Sequence, residues 1–142
     1  MAGDFLDSNV LVYAFTSDPR ATAAQALLER GCTISVQGLN EFANVARRKL
    51  GMPWQEIRDA LAAIRAVCPT VVPIDLDTHN DAMRLAERHG FAVYDALIVA
   101  AAWQAGSSTL WSEDMHDGMI VDGKLRIVNP FRGGAETTRS LV

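Results

Sequence analysis

The chain has 142 residues, 49% apolar and 21% charged, with 17 acids against 13 bases for a net charge of -4; that describes one ordinary globular domain with a sizeable core. Its longest unbroken apolar run, Ala96 to Trp103, is eight residues, far below the ~20 needed to cross a bilayer. No charged n-region with an apolar h-region opens it, so no membrane or export signal is expected. The acidic balance also argues against broad nucleic-acid affinity, which draws on clustered Lys and Arg.

Phe5-Leu6 with its neighbours reads as a short buried strand ending at Asp7, a carboxylate that needs a partner where it stands. Asp18-Pro19 offers an N-cap followed by proline at the first helical position, and Gly31 closes the helix through "ATAAQALLER". "CTISV" (Cys32 to Val36) is a second strand. In "QGLNEFANVARRKLG" the residues Leu39, Phe42, Ala43, Ala46 and Leu50 recur at helical spacing, with Gly51 as terminator. Pro53 opens another helix and Pro69 ends it. "TVVPI" (Thr70 to Ile74) is a third strand. "DTHNDAMRLAERHG" starts with cap-like residues and stops at Gly90, a helix again. "YDALIVAAAWQAG" is a buried helix from about Asp95 to Gln104, apolar all round and therefore set against a sheet. "STLWS" (Ser108 to Ser112) and "LRIV" (Leu125 to Val128) are strands four and five.

Short apolar strands alternating with helices imply an α/β fold, a three-layer α/β/α sandwich around a parallel, five-stranded sheet. One domain is expected over residues 1–132. "GGAETTRSLV" lacks apolar periodicity, so 133–142 is expected to be a disordered tail. Cys32 and Cys68 have no metal-ligand spacing and sit among apolar residues. They read as buried free thiols in a reducing, cytoplasmic compartment.

In open parallel sheets ligands bind beyond the carboxyl ends of the strands. Asp7 ends the first strand, Glu41 lies in the first turns of the helix after the second, Asp95 opens the buried helix, and Glu113-Asp114 follows the fourth strand. Taken singly, Asp95 reads better as an N-cap and Asp114 as a turn residue. Glu41 borders the apolar face of its helix, and Asp7 has apolar segments on both sides. An ordinary explanation for all four needs four coincidences of position. Two carboxylates ~4 Å apart repel by roughly 4 kcal/mol at an effective dielectric near 20, so the group must take up protons or hold a cation. No Lys or Arg adjoins Asp7, Asp95 or Asp114, and all-oxygen ligands favour Mg²⁺ or Mn²⁺. Ser8, Asn9 and Ser112 are placed to hydrogen-bond the carboxylates or a bound water, and Asp117 is a peripheral acid. Asp4, three residues before Asp7, falls on the opposite strand face.

With these residues in view, the chain resembles the PIN-domain ribonucleases of the VapC type, toxins of toxin–antitoxin pairs, over about Phe5 to Phe131. "FLDSNVLVYAF" carries the first acid and Asn9, "LNEFANV" the helix glutamate, "YDALIVAAA" the third acid and "LWSEDMHDG" the fourth. The resemblance implies a metal-dependent endoribonuclease that leaves 5′-phosphate and 3′-hydroxyl ends. It also implies a homodimer, a cognate antitoxin that inserts into the site, and Trp54 and Ile57 as contacts for that antitoxin. Arg47, Arg48 and Lys49 have two readings, contacts to the RNA backbone and a solvated cationic helix end, the second favoured by composition. Three rivals remain open. A haloacid-dehalogenase-type phosphatase needs a second Asp where Asn9 stands. A response-regulator receiver needs a lysine soon after the fourth strand, yet none occurs before Lys124. A catalytically degenerate PIN module would bind RNA or a protein without cutting. His79 and His89 read as surface residues on an amphipathic helix.

Overall fold

Residues 3–132 are described in the computed structural model of the chain. In chain order they form β1 (Asp4–Leu6), α1 (Ser8–Tyr13), α2 (Ala21–Glu29), β2 (Ile34–Ser35), α3 (Val36–Arg48), α4 (Trp54–Val67) and β3 (Val71–Val72). α5 (Leu76–His89), α6 (Val93–Gln104), β4 (Thr109–Trp111), β5 (Ile120–Val121) and β6 (Leu125–Val128) follow. Met1, Ala2 and the expected tail at 133–142 lie outside the described residues.

All five expected strands are present and mutually parallel. β1 pairs with β4 and β4 with β6, aligning Phe5 with Leu110 and Leu110 with Ile127. β2 pairs with β3 as a separate two-stranded sheet. The two sheets meet where the Leu6 N–H donates to the Thr33 carbonyl and the Thr33 N–H to the Asp4 carbonyl. β1 therefore runs through the middle. The sheet departs from the expected all-parallel form at one edge, where β5 runs antiparallel to β6. Asp122 and Gly123 link these strands with φ of 48° and 71°, and the Lys124 N–H returns to the Val121 carbonyl at 3.1 Å. Two consecutive positive φ values are what a tight hairpin turn demands, and Asp-Gly is the pair that tolerates them.

Alternation along β1 separates two cores. Phe5 and Leu6 are both fully buried and point to opposite faces. Leu6 joins Leu11, Ile34, Phe42, Ile57 and Ile64 beneath α1 to α4, while Phe5 joins Leu85, Ile98, Leu110 and Ile127 beneath α5 and α6. Helices thus cover both sides of the sheet, the three-layer arrangement expected. Free Cys32 and Cys68 are buried in the first core. No helix among the described residues is long and apolar enough to cross a membrane.

Helix ends follow local chemistry. Ser35 caps α3, its hydroxyl accepting the Gly38 N–H at 2.9 Å. Asp75 and Thr78 form a reciprocal capping box on α5, and Gly90 ends that helix in the left-handed region at φ 80°. Three details differ from expectation. Residues 8–13, assigned to no element from the sequence, form the short helix α1, in which the apolar run Val10–Tyr13 follows Ser8 and Asn9. α2 starts at Ala21 with Arg20 at the N-cap, because the Asp18 carboxylate accepts the Arg20 N–H and closes a turn first. α6 starts at Val93 with Ala92 as its cap, so Asp95 sits inside the first turn and is free of capping duty.

Candidate active site

Four carboxylates reach one cavity from four separate parts of the chain. Asp7, Glu41, Asp95 and Asp114 all line a space of ≈ 620 Å³. Parallel pairing puts the carboxyl ends of β1 and β4 side by side, and the starts of α3 and α6 lie at the same sheet edge. Asp7 is 4% exposed. The Ser8 N–H donates to its Oδ1 at 2.6 Å and the Ser112 hydroxyl to its Oδ2 at 2.7 Å. The Ser8 hydroxyl also donates to Glu41 Oε1 at 2.8 Å, and the Gln37 amide to Glu41 Oε2 at 2.9 Å. Asn9 turns the other way: its Nδ2 reaches Asp114 Oδ2 at 3.5 Å, and its Oδ1 accepts the Glu113 N–H at 3.3 Å.

Burial pushes the Asp7 carboxyl up to about 7, with Glu41 and Asp95 adding repulsion against the pull of Ser112 and the Ser8 N–H. Asp95 is raised first by burial and then by Glu41 and Asp114. Burial and Glu113 raise Asp114, against Asn9, Arg20 and Lys49. The cluster therefore holds negative charge that its own neighbours do not cancel, and an all-oxygen donor set is suited to a hard divalent cation. As they stand, no three His, Cys, Asp or Glu among the described residues form a ready metal-ligating group. Ser8 lies between Asp7 and Glu41, hydrogen-bonded to both.

Sequence comparison with known families then decides the matter: the PIN-domain model matches residues 5–116. The chain belongs to the PIN-domain family. No curated protein is significantly similar to it in sequence, but several solved structures are similar in fold. The Mycobacterium tuberculosis toxin VapC20, which cleaves the sarcin–ricin loop, is 20% identical with a TM-score of 0.63, covering 79% of this chain and 90% of that one. A toxin–antitoxin complex from Klebsiella pneumoniae is 19% identical, TM-score 0.64, covering 90% and 98% respectively. DNA-bound VapBC from Salmonella typhimurium is 18% identical, TM-score 0.62, covering 92% and 99%. At such identities the likeness establishes the fold. Family membership sets aside the phosphatase and receiver readings.

Within this PIN domain the remaining expected residues divide. Ser8 and Asn9 line the cavity and Ser112 lies buried behind Asp7. Asp117 is not part of the lining. Its carboxylate accepts the Asn129 N–H at 2.8 Å and the Arg132 guanidinium at 2.7 Å, which ties down the loop after β6. Arg47 stacks over Trp54, 5.1 Å from the ring centre, and donates to the Met52 carbonyl. Arg48 and Lys49 line an adjoining cavity of ≈ 350 Å³ that shares Asn44 and Val45 with the first. Trp54 is 54% exposed, whereas Ile57 is 1% exposed and belongs to the core. His79 is exposed as expected, but His89 is half-buried, 3.6 Å from Asp122.

Sequence reasoning missed Gln37, Asn40, Asn44 and Tyr94, which complete the polar wall. The spacing of 37, 40, 41 and 44 is that of one helical face, and this polar stripe beside the apolar one was the available signal.

Proposed function

We propose that this PIN domain is a metal-dependent endoribonuclease, the cytoplasmic toxin of a toxin–antitoxin pair that restrains translation or growth. The observation that carries this reading is the convergence of Asp7, Glu41, Asp95 and Asp114 on one cavity with excess negative charge. These four would hold one or two Mg²⁺ or Mn²⁺ ions, which when bound supply an acidified water and charge stabilisation at the phosphate. Ser8 and Ser112 hold the two Asp7 oxygens, Gln37 orients Glu41 and Asn9 orients Asp114. Asp7, buried and pushed up to about 7, must release its proton to serve as an anionic ligand. Arg48 and Lys49, beside the site, are suited to hold the RNA backbone. The antitoxin belongs to the same reading, supported by the fold shared with structures of a toxin–antitoxin complex and of VapBC; the homodimer is carried by the family resemblance. Exposed Trp54 offers an aromatic contact for that partner.

RNA cleavage by the full chain tests this with Mn²⁺, with excess chelator, and with Asp7→Asn. We expect activity with Mn²⁺, none with chelator, and a loss in Asp7→Asn beyond the ~10–100-fold typical of removing an outer-shell partner. Cleavage that survives chelation or the substitution overturns the mechanism, and tight RNA binding without cleavage supports a non-cutting PIN module.

A further inference from the structure

Arg20 is 5% exposed, an uncommon position for a guanidinium. Its Nε lies 2.6 Å from Glu113 Oε2, and its Nη1 lies 3.0 and 3.1 Å from the two Asp18 oxygens. The guanidinium sits 4.8 Å over the Tyr13 ring, and the Tyr13 hydroxyl donates to Glu113 Oε1 at 2.9 Å. Both Glu113 carboxylate oxygens are thus held, one by α1 and one by the turn before α2, while its N–H is held by Asn9. The next residue is Asp114, at the cavity. A buried ion pair contributes little net stability compared with an apolar replacement, and fixing one arrangement among several is its best-attested use.

We propose that Arg20 and Glu113 are positioning residues whose buried pair, completed by Tyr13, anchors the segment after β4 so that Asp114 faces the other three carboxylates. Neither side chain lines the cavity, so both act through Asp114. This rests on reading Asp114 as an ion ligand.

The test uses the full chain and Mn²⁺ alone, with Arg20→Met, Glu113→Gln and Tyr13→Phe, each also built with Asp114→Asn. Mn²⁺ affinity is measured by calorimetry, and amide exchange at residues 113–115 is followed in the metal-free protein. Arg20→Met and Glu113→Gln are expected to weaken Mn²⁺ binding about tenfold or more, with no further loss once Asp114 is Asn, and to speed amide exchange at 113–115. Wild-type affinity in both variants, or an equal loss with and without Asp114, overturns the proposal. Should Arg20→Met fail to fold, the near-isosteric Glu113→Gln and the ring-preserving Tyr13→Phe decide it. If the wild-type chain binds no Mn²⁺, the metal reading of the site fails instead, and unchanged amide exchange then overturns the positioning role by itself.

Discussion

Asp7 is held between two serines in a site that disfavours its charge, and the consequence is a pH dependence of stability. Its folded value of about 7 lies above the ordinary 3.8, so the folded state binds this proton more tightly than the unfolded one. Stability from this group is then fully present below about pH 4, falls as pH rises towards about 7, and changes little above. Metal-free protein should accordingly melt at lower temperature at about pH 8 than at about pH 5. Asp7→Asn should gain up to about 4 kcal/mol at about pH 8 and show a shallower slope, read from urea melts in chelator. The slope should not vanish, because Asp95 and Asp114 are raised in the same direction. A slope as steep in Asp7→Asn as in the wild type would place the titration on other groups. On the proposed mechanism, stability and activity thus oppose each other at this residue, as expected where like charges are gathered for function.

At the scale of elements, α3 shows how an ordinary cap serves the site. Ser35 is fully buried, its hydroxyl accepts the Gly38 N–H, and the next two turns carry Gln37 and Glu41. Ser35→Ala should cost about 1 kcal/mol and lower the cleavage rate, because Glu41 loses its fixed entry to the cavity. Asp75→Ala, at the α5 capping box and outside the cavity lining, should cost a similar amount and leave cleavage unchanged. Denaturation midpoints and rates for the two variants check both halves; equal loss of activity would mean that cap strength acts only through global stability. The longer helices were readable because apolar residues recur along one face and Gly or Pro marks their ends. α1 and β5 were not. All six residues of α1 are buried, so no polar face contrasts with an apolar one, and two-residue β5 is too short for any period to register. The Asp122-Gly123 turn was the local sign of β5.

Across the whole molecule, the two cores carry different chemistry. The core beneath α1 to α4 contains both thiols. Burial pushes Cys32 up to about 11 and raises Cys68 as well. Both should resist alkylation at about pH 8 in the native state and react at once after unfolding in urea, since the thiolate is the reactive form. Rapid labelling of the folded protein would mean that this core opens readily. By itself the sequence determined the alternation of strands and helices, the five parallel strands and the four acids, because periodicity, turn residues and a carboxylate among apolar neighbours are local properties. Only the tertiary structure decided that Asp95 is not a cap, that the Asp117 side chain holds the loop after β6, and that Gln37, Asn40, Asn44 and Tyr94 complete the cavity. It also brought Arg20 to Glu113 across the chain. Those outcomes depend on which distant segments share one sheet edge and one core, and pairing over such separations leaves no mark on the local pattern of either partner.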